Sequence, residues 1–416
     1  MHTSIEIEQT IVKIYLFDTN ETHGNLLPLS FTRPVADFRC GILTIREKWE
    51  NYFPGDYSFF PVDYLREKYG NITDEDEEAV FISGNLLPRP DIVELTGKLN
   101  SGEAYVKNGS QKDSSDSILE SIIVFKGSYK NLVSGNFKTK TISFETFSIQ
   151  QVYDIFQKNA EEIIRDFQLI TKDRKSQPIP SHVRKISTQG VKNIDRLIFI
   201  EKGAKVECAS INISKGPVYI GKDSVLMEGS CIRGPFALCE YGEVRMGARI
   251  YEATTVGPHC KVGGEVSNTV FFGYSNKAHD GYLGNAVIGE WCNIGAGTNA
   301  SNLKNDYTLI KVWNYRKHSF VKTDLQFCGV IMGDHSKIGV NCMINTATVL
   351  GVGVNIHGAG FPRNFVPCFH EGSATTGLMQ VPLQKFIDIM SRMMSRRDVK
   401  PTKSDLAILT HIYDES

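Results

Sequence analysis

The chain has 416 residues, more than one hydrophobic core normally supports, so at least two domains are expected. Its 46 Lys and Arg balance 47 Asp and Glu, which gives no reason to expect a nucleic acid or a membrane surface as a partner. No apolar run approaches the roughly 20 residues that span a bilayer. The polar start does not resemble a signal peptide. Nine cysteines without a Cys-x-x-Cys pair predict a reduced cytoplasmic protein rather than a disulfide or zinc framework.

Residues 11–147 alternate short apolar runs with turns and helical patterns, which predicts an α/β domain. The run at 11–17 predicts a buried strand, and residues 41–53 predict an amphipathic helix. Residues 79–88 predict a further strand that ends in a turn.

Residues 148–182 predict a link between domains. The apolar stripe that includes Val152, Ile163 and Phe167 predicts a helix over 148–170, and Ser148 is a plausible N-cap. Two prolines in the following residues indicate a linker.

Residues 183–370 contain a repeat with a period of six. Its phased apolar positions are Ile220, Leu226, Ile232, Leu238, Val244, Ile250, Val256 and Val262, and, after a break near Asn268, Ile288, Ile294, Met332, Ile338, Ile344, Leu350 and Ile356. A chain that buries one side chain in every six can wind as a triangular coil of about 18 residues per turn, with parallel strands stacked about 4.8 Å apart. A β-sandwich with coincidental spacing is the alternative.

Residues 371–416 predict a helical tail. The pattern indicates two helices separated near Pro401, with Thr402 or Ser404 as the cap of the second. Such a tail could cap the coil or pack on a neighbouring subunit.

The break in the repeat, within 264–302, collects side chains that can do chemistry. His279 is a candidate general base, because histidine titrates near neutral pH. Tyr282 could hold a ligand or orient the imidazole, and Asn293 and Asn302 could bind hydroxyl groups through donor and acceptor atoms. Arg249 could clamp a phosphate with two parallel hydrogen bonds.

The motif H-x-x-Y-x-G-x-A-x-I-G-x-x-x-N-I-G-A-G-T, from His279 to Thr298, closely resembles a known family. It is similar to the acetyltransferase domain of the bacterial bifunctional N-acetylglucosamine-1-phosphate uridyltransferase/glucosamine-1-phosphate acetyltransferase family. The repeat around it resembles the hexapeptide left-handed parallel β-helix. The left hand is implied by that resemblance alone, since ordinary parallel crossovers are right-handed.

This resemblance implies a role for each matched side chain. The residue at His279 removes a proton from the amino group of glucosamine 1-phosphate, which then attacks the thioester of acetyl-CoA. Tyr282, Asn293 and Asn302 correspond to residues that bind the sugar, and Arg249 to one that binds its phosphate.

The resemblance also implies where the acetyl-CoA thioester lies. It lies against the main chain of Gly295, Ala296 and Gly297, where N–H groups could stabilise the oxyanion. The family forms homotrimers, with each acetyl-transfer site between neighbouring coils.

One departure from the family pattern concerns the phosphosugar. The family has a lysine two residues after the glutamate that aligns with Glu265, and this chain has Ser267 there. Lys277, Lys304 or Lys311 could replace that charge, so Lys277 is counted among the substrate-binding candidates.

The N-terminal domain resembles sugar-phosphate nucleotidyltransferases, but with fewer of their phosphate-binding residues. Residues 16–45 keep the order of strand, turn and L-S-F-T-R-P, although the turn holds a single glycine, Gly24, and Val35 stands where related enzymes place a lysine. Asn85 stands where the family has a magnesium-binding aspartate. The whole arrangement is similar to variant proteins of this family from Bacteroidetes.

Two interpretations of this domain follow. In one, Asp18, Arg33, Arg39 and Asn85 form an altered site for Mg²⁺ and a nucleoside triphosphate, and the domain joins a nucleotide to a sugar 1-phosphate. In the other, the domain has lost catalysis and serves as a scaffold or sensor.

The sequence thus predicts a cytoplasmic transferase that acetylates an amino-sugar phosphate, with UDP-N-acetylglucosamine synthesis as a second activity. The alternatives are a non-catalytic trimeric scaffold and a nucleotidyltransferase alone. A β-helix that binds zinc through histidines, as in some carbonic anhydrases, is a further alternative, but the surroundings of the coil histidines do not match that family.

Overall fold

The computed structural model describes residues 12–107, 119–188 and 193–416. They form two compact units. The first consists of the described residues up to Thr22 together with Pro34–Asp37 and Ile45–Ser148, and the second of His23–Arg33, Phe38–Thr44 and the described residues from Ile149 onward. Two short segments of the first 44 residues therefore belong to the same unit as the repeat.

The first unit is built on a six-stranded mixed sheet. Its strands are β1 (Lys13–Phe17), β2 (Asp56–Phe60), β3 (Ala79–Ser83), β4 (Glu103–Val106), β5 (Ile122–Gly127) and β6 (Lys138–Thr141), in the spatial order β2-β1-β3-β5-β4-β6. The helices in this part of the chain include α1 (Asn20–Asn25), α2 (Ile45–Tyr52), α3 (Arg66–Tyr69), α4 (Pro90–Gly97), α5 (Tyr129–Ser134) and α6 (Asp154–Thr171). Short 3₁₀ turns occupy Leu29–Phe31, Val35–Asp37 and Asp63–Leu65, and a further one, Ile194–Leu197, lies near the start of the coil.

The apolar runs form this sheet because both of its faces are covered. All five residues of β3 are buried, and Phe81 stacks on Tyr15 of β1 at 5.2 Å between ring centroids. The indole of Trp49 in α2 is fully buried and donates to the carbonyl oxygen of Leu86 at 2.8 Å. The sheet confirms the predicted nucleotidyltransferase-like α/β domain, and the predicted strand 11–17 begins among the described residues at Lys13.

The predicted N-cap of the linking helix is wrong. The helix begins at Asp154, six residues after Ser148, because Ser148 forms a β-bridge with Leu86. The carboxylate of Asp154 instead accepts hydrogen bonds from the N–H groups of Gln150 and Gln151, at 2.7 and 3.0 Å.

The repeat forms a left-handed parallel β-helix with three faces, as predicted. The first face contains Arg184–Ile186, Ser210–Asn212, Cys231–Arg233, Arg249–Ile250, the first halves of Glu265–Phe271 and Tyr282–Ile288, Asn299–Ala300 and Met343–Ile344. The second face contains Ile198–Ile200, Val218–Ile220, Phe236–Leu238, Thr254–Val256, the second halves of the same two long strands, Ile331–Met332, Val349–Leu350 and Phe365–Val366.

The third face carries one side of the cavity described below. It contains Lys205–Val206, Val225–Leu226, Glu243–Val244, Lys261–Val262, Asn276–Lys277, Asn293–Ile294, Lys337–Ile338, Asn355–Ile356 and His370–Ser373, followed by the antiparallel strand Gly377–Gln380. A hairpin of Lys311–Asn314 and Ser319–Lys322 projects from the long interruption after residue 300. All fifteen phased apolar residues of the predicted repeat are buried inside the coil.

The break in the period of six is a shortening of the coil. Val244 pairs with Val262, eighteen residues later, whereas Val262 pairs with Lys277, only fifteen residues later. Most of the shortening is at the corner between the third face and the first, where Val266 follows Val262 by four positions, whereas Ile250 follows Val244 by six. One further residue is lost where the strand Glu265–Phe271 turns from the first face to the second. The strands therefore stack continuously through the break, although apolar residues no longer recur at every sixth position.

The tail contains the two predicted helices, α7 (Leu383–Ser395) and α8 (Lys403–Asp414). The hydroxyl of Thr402 accepts from the N–H of Asp405 at 3.1 Å, and the Asp405 carboxylate accepts from the N–H of Thr402 at 2.7 Å, so Thr402 caps α8 in a capping box. None of the helices in the described part of the chain is both long and apolar enough to cross a membrane.

Candidate functional site

A cavity of about 840 Å³ lies between the third face of the coil, the corner that carries His279, and helix α7. Its lining consists of Lys261, Tyr274, Asn276, Ala278, His279, Trp291, Asn293, Ile294, Gly295, Ala296, Lys337, Val340, Ile389, Arg392, Met393, Arg396 and Arg397. Four of the predicted site residues therefore share one cavity: His279, Asn293, Gly295 and Ala296.

The corner that bears His279 is held by the coil on each side. The carbonyl of Gly281 accepts from the N–H of Glu265 at 3.1 Å, and the carbonyl of Asp280 accepts from the N–H of Gly297 at 2.9 Å. Gly281 has φ = +121°, and a Cβ atom there would lie 2.1 Å from the carbonyl oxygen of Thr298. Only glycine fits this corner, so the backbone conformation there is fixed. The side chain of His279, two residues earlier, is exposed.

The main chain beside His279 offers one candidate oxyanion donor. The N–H of Gly295 donates to the carbonyl of Ile338 at 2.8 Å, and that of Gly297 to Asp280. Of the three residues predicted to lie against the thioester, Ala296 is therefore the one whose N–H could turn toward a ligand.

Five cationic side chains line the same cavity, and the sequence reasoning missed them. Lys261 and Lys337 immediately precede interior residues of the third face, and Arg392, Arg396 and Arg397 come from the end of α7. The Arg397 guanidinium donates to the side-chain oxygen of Asn276 at 3.2 Å, which ties the tail to the coil. The cluster of arginines at 392–397 could have indicated an anion-binding surface. The sequence does not show, however, which part of the coil the tail helix packs against.

A column of stacked rings runs along one corner of the coil and ends in the cavity. Tyr241, His259, Tyr274 and Trp291 stack with centroid distances of 4.8, 4.6 and 4.2 Å. All four have a positive φ, between 53° and 59°. Trp291 is thus largely buried by Tyr274, while both rings contribute a wall to the cavity.

The remaining sugar-site candidates lie on the first face, on the other side of the His279 corner. Tyr282 pairs with Glu265, which pairs with Arg249, and the Arg249 guanidinium lies 3.5 Å from the Glu265 carboxylate. The Asn302 amide donates to the Tyr282 hydroxyl at 2.9 Å and to the Asn285 side chain at 2.7 Å. Burial raises the pKa of Tyr282, so this hydroxyl remains a neutral hydrogen-bonding group.

The structure separates Lys277 from the other substrate-binding candidates. Its side chain points into the coil and is only 2% exposed. Lys304, a second candidate to replace the charge missing at Ser267, donates to Thr308 and Leu309 of its own loop. Lys311 is exposed on the projecting hairpin.

Two candidates of the nucleotidyl site lie at the carboxyl edge of the first unit's sheet. Asp18 follows β1, and Asn85 follows β3 and accepts a hydrogen bond from Ser83 at 2.9 Å. One carboxylate oxygen of Asp18 accepts from the N–H of Val35 at 3.0 Å, and the other has no hydrogen-bond partner among the residues that the structure describes. Burial raises the pKa of Asp18 to about 7.

The two arginines of that predicted site are engaged within the second unit. Arg33 forms ion pairs with Asp334 and, at 3.0 Å, with Glu290, and it is 4% exposed. Arg39 donates to the carbonyl of Ile42. The turn predicted to cradle phosphates forms the short helix α1 instead, which includes Gly24. The structure therefore does not group these arginines with Asp18 and Asn85 in one compact unit.

The coil histidines of the zinc alternative have different surroundings. His259 stands within the ring column, and His335 is buried beside Phe386 at 6.0 Å between ring centroids. Over residues 12–107, 119–188 and 193–416, the structure contains no group of three or more His, Cys, Asp or Glu side chains that could hold a metal ion.

The fold and the cavity define a class: a nucleotidyltransferase-like α/β domain joined to a left-handed β-helix with a site at a corner of the coil. Residues 14–175 match the model of a family described as sugar nucleotidyl transferase. The bifunctional protein GlmU of Alkaliphilus metalliredigens (strain QYMF) is 29% identical over 211 residues, which are 44% of this chain and 43% of that protein. The chain is thus similar to sugar nucleotidyl transferases over residues 14–175 and to GlmU over part of its length, in line with the resemblance of the motif at His279.

A bifunctional sugar-1-phosphate nucleotidylyltransferase/acetyltransferase from Sulfurisphaera tokodaii is 29% identical over 166 residues, 39% of this chain and 40% of that protein. The matches therefore span less than half the length of these two relatives. The solved structure of UDP-N-acetylglucosamine acyltransferase from Francisella novicida covers 56% of this chain and 90% of its own, at 12% identity and a TM-score of 0.24, a likeness too weak to bear on function.

Proposed function

We propose that this protein transfers the acetyl group of acetyl-CoA to the amine of an amino-sugar phosphate, glucosamine 1-phosphate being the candidate acceptor. One observation carries the proposal: an exposed histidine opens into a cavity whose walls hold five cations. Coenzyme A bears a diphosphate and a further phosphate, and lysine and arginine side chains bind such groups.

In the proposed reaction, His279 takes a proton from the amino group of the sugar. The amine nitrogen forms a bond to the thioester carbon, and the N–H of Ala296 stabilises the oxyanion of the tetrahedral intermediate. The carbon–sulfur bond then breaks, and the proton held by His279 passes to the leaving thiolate, which departs as coenzyme A. Asn293, in the same cavity, and the Tyr282–Asn302 pair, beyond the corner, are the candidate sugar ligands.

The proposal includes a homotrimer, as the family resemblance implies. Sugar-site candidates lie on both sides of the His279 corner, and a neighbouring coil packed there would enclose them. Exposed apolar side chains on the coil, Met246 at 61%, Val340 at 67% and Met343 at 43%, are suited to such packing.

Replacement of the base tests this function. His279→Ala is expected to lower acetyl transfer to glucosamine 1-phosphate by about 10²–10⁴-fold, while acetyl-CoA raises the melting temperature of the variant as it does that of the wild type. His182→Ala, at an exposed histidine in the linker, is the matched control and should retain activity. Equal rates for His279→Ala and wild type would refute the base, and a wild type that binds no acetyl-CoA would favour the scaffold alternative.

The family match over residues 14–175 favours a second candidate function, nucleotidyl transfer to a sugar 1-phosphate. Asp18, with one unpartnered oxygen, and Asn85 could supply oxygen ligands to Mg²⁺, which in such sites neutralises the phosphates of the nucleotide. The test is pyrophosphate release with each nucleoside triphosphate, Mg²⁺ and several sugar 1-phosphates. Asp18→Asn should abolish it and Asp56→Asn, at an exposed residue of β2, should not. No release with any combination would leave the domain as a scaffold.

A further inference from the structure

The interior of the third face contains one charged side chain. Val244, Val262, Ile338 and Ile356 are interior residues of this face and are at most 2% exposed. Lys277 pairs with Val262 and takes the interior position in the shortened coil, also at 2% exposure. An ammonium group in this apolar surrounding is unfavourable unless its donors are satisfied.

The ammonium of Lys277 is directed to the corner that carries the candidate base. It donates to the carbonyl oxygen of His279 at 2.8 Å and to that of Gly263 at 3.1 Å. The same corner is held from outside by hydrogen bonds of Glu265 and Gly297 to the carbonyls of Gly281 and Asp280. Lys277 is thus the side chain that fixes the peptide of His279 from within the coil.

We propose that Lys277 is a positioning residue for acetyl transfer: its buried ammonium holds the backbone of His279 so that the imidazole projects into the cavity. This inference deepens the proposed function and rests on it for its catalytic part. Two hydrogen bonds from a packed interior would hold the backbone of the base more firmly than a solvent-exposed turn can. Small displacements of a catalytic group strongly lower the reaction rate.

The alternative is that Lys277 serves stability alone, and its charge argues against that. Burial lowers the pKa of Lys277 to about 8, with Asp280 opposing and Arg249 adding to the shift. Because the folded-state pKa lies below the ordinary value, the unfolded chain binds the proton more readily, and the lysine reduces stability at neutral pH. A residue that lowers stability but donates two hydrogen bonds to the backbone at a candidate active site fits a positioning role.

The test compares Lys277→Met with Ile338→Met, a change of similar size at an interior position of the same face. Lys277→Met should leave the melting temperature unchanged or higher, and should lower kcat for acetyl transfer by about 10- to 100-fold with little change in KM. Lys277→Gln keeps an N–H donor and should recover part of kcat. Ile338→Met should leave kcat as in the wild type.

A second measurement does not depend on activity. Amide hydrogen exchange in the peptide 278–284 should be faster in Lys277→Met than in the wild type and unchanged in Ile338→Met. Unchanged exchange in Lys277→Met would overturn the proposal, as would faster exchange with an unchanged kcat. If the wild type shows no acetyl transfer, the proposed function fails, while faster exchange would still support the hold of Lys277 on the corner.

Discussion

Two stretches of one coil differ in what their residues do. Between Val218 and Val262 the strands repeat every eighteen residues, and the phased positions are apolar and buried. Between Gly263 and Asn302 the coil loses residues at neighbouring corners, places a lysine inside and exposes a histidine outside. The His279 corner itself keeps the spacing of six, from Lys277 to Leu283. The chemistry-bearing side chains therefore lie beside the shortened corners and not in the regular part of the coil.

The largest effect is expected from a methyl group at the His279 corner. Gly281→Ala places Cβ 2.1 Å from the carbonyl of Thr298 in a backbone with φ = +121°. The corner must shift, and acetyl transfer should fall by about 100-fold or more. Gly247→Ala is the counterpart in the regular coil, with φ = +67° and open space around Cβ. It should cost about 1 kcal/mol of stability and leave kcat unchanged.

Steady-state kinetics and thermal unfolding of the two variants check this contrast. If Gly247→Ala lowers kcat as much as Gly281→Ala does, the His279 corner has no special role. Circular dichroism would reveal whether either substitution unfolds the coil as a whole.

The fold could be predicted well from the sequence because the coil repeats a local rule. Each interior position needs an apolar residue, so fifteen phased residues defined the coil, and Thr402 defined the start of α8. The compressed coil could not be predicted by counting in sixes, since Lys277 falls fifteen residues after Val262.

The site was predicted in part. His279, Asn293 and Ala296 share a cavity, because the motif is local and one corner brings them together. The cations of α7 were missed because their place depends on how the tail packs, which no local pattern encodes. Arg33 was assigned to a phosphate from its place after β1, but the partners that a side chain finds, here Asp334 and Glu290, are set by tertiary contacts far along the chain.

A smaller effect is expected at the cavity wall formed by the tail. The double variant Arg392→Ala, Arg396→Ala removes two of five cations, and the KM for acetyl-CoA should rise by about 10-fold at low salt, with a smaller difference at high salt. Arg184→Ala, at an exposed arginine on the first strand of the coil, is the control and should leave KM unchanged. An equal KM for the double variant and wild type would remove the tail from the proposed coenzyme site.

The smallest effect is expected at a second histidine of the coil, His335, and concerns the dependence of stability on pH. His335 lies at a corner with φ = +62°, where Lys337, Glu290, Arg33 and Asp405 contribute charge. Within the described part of the chain, its Nδ1 atom has no hydrogen-bond partner. Burial lowers the pKa of His335 to about 3. Since the unfolded histidine titrates near 6.5, the unfolded chain binds more protons below that pH, and stability should fall as pH decreases from 6.5 toward 3.

His335→Phe should reduce this acid sensitivity, because Phe369 already occupies the same kind of corner with φ = +55°. Between pH 7 and pH 5 the wild type should lose about 2 kcal/mol more stability than the variant, measured by urea unfolding at both values. His357→Phe, at an exposed histidine, should keep the wild-type dependence. Equal acid sensitivity in His335→Phe and wild type would mean that His335 is not a buried neutral group of this coil, and the contrast between a structural histidine and the candidate base at the His279 corner would lose its support.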